Sequence, residues 1–306
     1  MSGNVVTARD LANFLLPGMR VMALKASGDE LADSKANQLF TNKSSSRTYE
    51  ESLGVNSFSQ YEEFLGEVPF QSLKQGADGK FYNKEYVSGF QIESKFMSTN
   101  QYKDRWPSAI MQMALAYART YENIRMGVFR NANNTTTLTL PNGQALASTV
   151  QPSSMDASFT QSNKGTTPLS AAYLESIVIA VGAWKTDSEQ TMTTRLDTLI
   201  VPRALADTAH RINNTTYGGT NLGTDWAVNT QKDRWKILVS DYLTDTNDYF
   251  VIDSSRMKLN LFTNTVNGNE ITNATDFSSR AMKIAGYTYF GLQCDDWRWV
   301  YCGIVE

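Results

Sequence analysis

The feature that most limits what this chain can fold into is a long alternating stretch behind a turn signal. Residues 74–80 read Lys-Gln-Gly-Ala-Asp-Gly-Lys. After them Tyr82, Tyr86, Phe90, Ile92 and Phe96 fall at even spacing, with Asn83, Glu85, Gln91 and Glu93 on the other side. An Asp-Gly pair favours the positive φ that a tight hairpin needs at its centre, and period-two alternation describes a half-buried strand. The segment predicts a hairpin with its tip at Ala77-Asp78-Gly79, entered through an aromatic and acidic stretch from Tyr49 to Gly66. An arm of about 20 residues would reach on the order of 65 Å, farther than a compact domain of this size requires. Two readings follow: an arm whose apolar side is covered by another copy of the chain, or an ordinary hairpin folded back on its own sheet. The first makes Gly76, Asp78, Gly79, Lys80, Tyr82, Tyr86 and Phe90 candidate assembly-interface residues.

A second constraint follows Trp106-Pro107-Ser108. Ile110, Met113, Ala114, Tyr117, Tyr121, Ile124 and Val128 recur at helical spacing and define one face of a helix about 30 Å long. Residues 1–45 alternate short apolar runs with Ser, Asn and Lys and predict an extended arm with one short helix. Residues 131–167, rich in Asn, Thr and Ser, predict loops and a domain boundary. Thr167, as a cap, opens a helix carrying Leu169, Tyr173, Ile177, Val181 and Trp184; a buried strand, Leu196–Val201, then runs into a helix at Pro202. Strands are predicted at Trp235–Val239 and Tyr249–Ile252. Met282–Val305, apolar on both faces, reads as a strand covered on both sides. The architecture is mixed α+β.

At 306 residues with 41% hydrophobic content the chain can bury about three quarters of its unfolded surface without staples. Large aromatics are plentiful, 6 Trp, 14 Tyr and 14 Phe, and suit either a β-rich core or extensive subunit interfaces. The net charge is -3 and no basic run could neutralise a row of phosphates, which argues against sequence-specific nucleic-acid binding. Cys294 and Cys302 have neither zinc nor disulfide-framework spacing and read as buried thiols of a reducing compartment. No signal sequence or apolar run of membrane-spanning length occurs, so the expectation is a chain made and used in solution, with no membrane partner.

Catalytic readings are poor. The one histidine, His210, leaves no triad and no multi-histidine metal site, and Asp295-Asp296 beside Arg298 reads as a turn or structural salt bridge, because adjacent strand carboxylates cannot flank one bond. Gly218-Gly219 and Gly223 lack the context of a phosphate loop. No catalytic residue, cofactor or metal is expected.

The order of parts, arm, long hairpin, long helix, second α/β region and aromatic returning strand, resembles major capsid proteins of the Hong Kong 97-type fold, in style the Mu-like major head subunits. The residues that carry the resemblance are Asp197-Thr198-Leu199-Ile200-Val201-Pro202-Arg203-Ala204-Leu205, Asp248-Tyr249-Phe250-Val251-Ile252-Asp253 and Asp296-Trp297-Arg298-Trp299-Val300-Tyr301. The resemblance implies an N-terminal arm at 1–45, an extended loop at 46–95 lying on a neighbouring subunit, a peripheral domain at 96–130 and 263–306 with a spine helix from Pro107, and an axial domain at 131–262. It also implies self-assembly into pentamers and hexamers of an icosahedral shell enclosing double-stranded DNA, with assembly in the host cytoplasm and residence in the virion capsid. A portal and a decoration protein are implied partners. The chain has no room for the long helical region that begins members with a fused scaffold, so the expected scaffolding protein is separate. Two other functions fit the same sequence: an encapsulin-like nanocompartment shell, and a carbohydrate-binding or carbohydrate-active protein using Trp106, Trp226 and Trp297.

Overall fold

The computed structural model describes residues 8–55, 75–93, 106–216, 229–276 and 281–305, together with positions 61, 63, 68 and 70. Its N-terminal part departs from the expected extended arm. Ala8–Ala32 form one 25-residue helix, α1, which passes through Pro17, followed by the single turn α2 (Ala36–Leu39). Pro17-Gly18 interrupts the apolar pattern and reads as a break, but tertiary contact overrides local propensity. Ala23, Ala26 and Ser27, small residues at i, i+3 and i+4, let α1 lie close against α3 (Trp106–Arg130), the predicted long helix.

α3 buries Ile110, Met113, Ala114, Ala118 and Tyr121 along the expected face, then is buried on all sides from Arg125 to Phe129 where its C-terminal end enters the main core. Phe129 sits at that junction, in edge contact with Phe40, Phe250 and Trp299 at centroid distances of 6.5, 5.2 and 6.2 Å.

Two sheets divide the strands. One has the order β1-β11-β12-β4, with β1 (Thr41–Ser44) parallel to β11 (Leu261–Thr275), and β12 (Met282–Cys294) antiparallel to both β11 and β4 (Lys84–Ile92). The other has the order β7-β13-β10-β8-β9 and is formed by Lys164–Gly165, Val300–Gly303, Tyr249–Ile252, Thr198–Pro202 and Lys236–Ser240. β8, β10 and β13 are buried on every residue, as expected of strands covered on both faces. The predicted single strand over Met282–Val305 is therefore two strands in different sheets, separated by a turn at residues 295–299, and Val300–Gly303 pairs with the 131–262 region rather than the 263–294 hairpin. A short pair, β5 (Gln151–Pro152) with β6 (Thr160–Gln161), lies in the connecting loops.

The helix α4 (Ala171–Gly182) is capped by Ser170, whose hydroxyl accepts from Tyr173 N, not by Thr167. β8 leads through one 3₁₀ turn, Arg203–Leu205, into α5 (Ala206–Asn214). Asp253 caps α6 (Ser254–Asn260), accepting from Ser255 N and Arg256 N.

The predicted hairpin tip is not a tip. β2 (Tyr49–Val55) and β3 (Gln75–Tyr82) form an antiparallel ribbon in which Asp78 stands opposite Leu53 and Gly79 opposite Ser52, in mid-strand. The glycines serve close approach rather than a turn: a Cβ on Gly79 would stand 3.0 Å from Pro141 Cγ, and Gly76 faces the backbone of Gly54 at similar range. This stretch is thus seated on its own chain.

Candidate assembly surface

β3 and β4 are nearly one continuous strand that changes partner at Asn83. Before it the chain pairs with β2; after it, with β12. Asn83 N donates to Thr48 O at 3.0 Å and Nδ2 donates to Arg47 O at 2.7 Å, which ties the ribbon root to the subunit. Gly291 permits the crossing, since a Cβ there would lie 2.3 Å from Asn83 Oδ1 and 3.0 Å from Tyr82 O.

The seven candidate interface residues divide at this switch. Gly76 and Gly79 are internal spacers of the ribbon. Asp78 is exposed and has a partner. Lys80 pairs with Glu51 at 3.4 Å and lies 5.4 Å over the Tyr49 ring, while Tyr82, exposed, packs its ring 5.8 Å from that of Tyr49. The hydrogen bond and charge of Glu51 raise the Lys80 ammonium above the usual lysine range. Tyr86 and Phe90 turn inward: Tyr86 meets Phe290 at 5.0 Å and Phe90 packs on the cluster of Ile110, Met113 and Ile284. β4 is paired along its length with β12 of its own chain, and its even-numbered residues Tyr86 and Phe90 pack inward.

Exposed apolar groups lie instead on Leu53 of the ribbon, on Val87 of the outer side of β4, and at Tyr61, Val68 and Phe70 between the ribbon strands; Tyr61 and Phe70 are 104% and 94% exposed. Sequence reasoning missed Tyr49, Glu51 and Leu53. The aromatic and acidic alternation at 49–55 was their signal, legible only with β3 as partner. Also missed was the outward face of α1, where Val21, Met22 and Leu24 are exposed.

Beside the switch lies a groove of ≈ 390 Å³ between the ribbon root, the C-terminal half of α3, the 135–139 loop and β12. Its rim carries Lys80, Lys84 and Arg130 with Thr135, Thr136 and Thr139, and its floor includes Tyr86, Phe290 and Leu292.

On the far side of Pro141, Arg298 joins the returning chain to the 185–187 loop. It pairs with Asp296 at 3.0 Å and with Asp187, and its Nε donates to Lys185 O at 2.9 Å. Burial raises the Asp296 carboxyl while Arg298 pulls it down. Asp296 thus forms the expected structural salt bridge, while Asp295 accepts from Gln293 Nε2 at 2.7 Å. Trp297 is buried and packs edge-on against Trp184 at 5.0 Å, so it offers no sugar-binding face. Trp226 and the side chain of Trp106 fall outside the described residues. His210 is exposed on α5. Among the described residues no helix is long and apolar enough to cross a membrane, and no group of three or more acidic, His or Cys side chains could hold a metal.

Solved capsids share this backbone. The capsid protein of bacteriophage JBD30 matches with a TM-score of 0.57 at 12% identity, over 69% of this chain and 91% of that chain. A second structure of that capsid is decorated with minor capsid protein trimers. The mature capsid of bacteriophage PhiM1 matches with a TM-score of 0.56 at 11% identity, over 89% and 87%. Mycobacterium phage Patience gives a TM-score of 0.54 at 13% identity, over 100% and 90%. These likenesses establish the expected Hong Kong 97-type fold. No curated protein sequence matches the chain. A family model described as phage capsid protein matches residues 84–303, more than two thirds of the chain, and the chain therefore belongs to the phage capsid protein family.

Proposed function

We propose that this major capsid protein closes into an icosahedral shell of pentamers and hexamers around double-stranded DNA, and that its work is structural rather than catalytic. The observation that carries the reading is the exposure of Tyr61 and Phe70, which lie in the chain between β2 and β3. Exposed aromatics are costly in a monomer and are covered in obligate assemblies, whose interfaces bury about 2,000–5,000 Å². The five-stranded sheet with Val300–Gly303 forms the axial unit, and α3 with the four-stranded sheet the peripheral one. The net charge of -3 suits a container wall that does not hold its DNA tightly. A separate scaffolding protein, a portal and a decoration protein are the proposed partners, the last by analogy with the trimers on JBD30. Assembly is in the host cytoplasm and the destination is the virion.

Electron microscopy of the purified protein, alone and with a co-expressed scaffold, is expected to show shells or ring-shaped capsomers. A chain that stays monomeric across salt, concentration and scaffold would refute the reading.

A further inference from the structure

We propose that Asn267-Gly268 is a self-modification site, at which the folded chain converts its own asparagine amide to a carboxylate. The sequence contains two Asn-Gly pairs, Asn142-Gly143 and Asn267-Gly268. Such a pair is a reactive setting for asparagine, because glycine has no side chain to keep the next backbone nitrogen away from the amide carbon. The fold treats the two pairs oppositely. At the first, Asn142 Nδ2 donates to Gln151 Oε1 at 2.8 Å, Asn142 Oδ1 accepts from Gln144 N at 3.1 Å, and Gly143 N donates to Leu140 O at 2.8 Å. Amide and nucleophile are both held. At the second, the register of β11 on β12 jumps from Asn267 opposite Tyr289 to Glu270 opposite Tyr287, so Gly268 and Asn269 share one position of the partner strand. A bulge of this kind releases the backbone dihedrals that a regular ladder keeps extended. Asn267 and Gly268 are exposed, and a Cβ on Gly268 would meet nothing within 4 Å. Among the described residues no hydrogen bond holds the Asn267 side chain; Thr288 Oγ1 donates to its backbone oxygen at 3.1 Å.

The reaction needs only water. Gly268 N gives up its proton and bonds to Asn267 Cγ; the Cγ–Nδ2 bond breaks, and Nδ2 takes up a proton from water and leaves as ammonia. Water then opens the cyclic imide, at Cγ to leave aspartate or at the main-chain carbonyl to leave isoaspartate, in which the backbone runs through the former side chain. Either product adds a negative charge to the bulge that ends at the exposed Glu270, and isoaspartate lengthens the backbone at the residue whose oxygen holds Thr288.

The test incubates the full-length protein in mildly alkaline buffer, folded and in urea, and maps its peptides by mass spectrometry. In the folded protein, aspartate and isoaspartate are expected to accumulate at position 267 while Asn142 keeps its amide; in urea both positions are expected to react alike. No product at 267 in the folded protein, or an equal yield at 142, would overturn the proposal. So would a ratio of the two yields that is the same in urea, because the fold would then make no difference. Gly268→Ala is expected to bring the yield at 267 down to that at 142. The added methyl group meets no atom, so this variant should keep the wild-type urea midpoint. If it folds and still reacts at the wild-type rate, attack by the backbone nitrogen is not the route and the proposal fails.

Discussion

Replacing Arg125 with methionine is expected to stabilise the unassembled subunit. Arg125 is fully buried beneath α1 and α2, yet among the described residues its one hydrogen bond runs from Nη2 to Ser34 Oγ at 3.5 Å, and Nε and Nη1 have no partner there. Burial also lowers the guanidinium from the usual arginine range, although Tyr121, Glu122 and Tyr117 pull it partly back up. An unmet buried donor costs about 1–3 kcal/mol, so the two together cost roughly 2–6 kcal/mol. Tyr121, whose ring centroid lies 4.1 Å from the guanidinium, offsets part of this, and Phe40 at 5.7 Å is at the edge of the useful range. A favourable cation–π contact returns about 2 kcal/mol, leaving a net burden of a few kcal/mol. Methionine keeps the length and places a thioether against the same rings, and exchanges of buried ionic groups for apolar ones are neutral or stabilising by about 1–4 kcal/mol. In urea unfolding followed by tryptophan fluorescence, a gain of about 2 kcal/mol would raise the midpoint by about 1 M at unchanged slope. Arg125→Ala, which also opens a cavity, should fall below Arg125→Met. A methionine variant with a midpoint about 1 M below wild type would refute the reasoning, because it would mean the guanidinium carries contacts worth more than its desolvation.

Phe129→Ala removes the ring shared by Phe40, Phe250 and Trp299 and should cost about 3–5 kcal/mol in the same measurement. Asp253→Ala removes an acceptor for the N–H groups of Ser255, Arg256 and Arg195, and a loss of about 2 kcal/mol is expected from thermal unfolding. Gly291→Ala forces a Cβ against Asn83 and should speed amide exchange in β4 while leaving the five-stranded sheet protected. Burial pushes both thiols up, so Cys294 and Cys302 should resist alkylation until the chain unfolds. The folded state holds these protons more tightly than the unfolded one, so their contribution is complete below the ordinary thiol range and declines as pH rises above it. A urea midpoint that increased on going to alkaline pH would contradict that sign for these groups.

The sequence alone determined the parts whose periodicity is one-sided or whose residues are apolar throughout. The face of α3, the buried strands predicted at Leu196–Val201 (Thr198–Pro202 in the structure) and Tyr249–Ile252, and the salt bridge of Asp296 with Arg298 all follow from residues close in the chain. The family likeness also rested on such segments. What the tertiary structure decided depends on distant partners. Asp78-Gly79 signals a turn by itself, but pairing with β2 and the approach of Pro141 make it strand. Pro17-Gly18 signals a break, but the small face at Ala23, Ala26 and Ser27 keeps α1 helical against α3. Met282–Val305 is apolar on both faces apart from the Asp295-Asp296 turn signal, and nothing local says that the segments on either side of that turn enter different sheets. Local pattern fixes which side of a segment is apolar; which surface covers that side depends on contacts between residues far apart in sequence, and those decided both the root of the ribbon and the groove beside it.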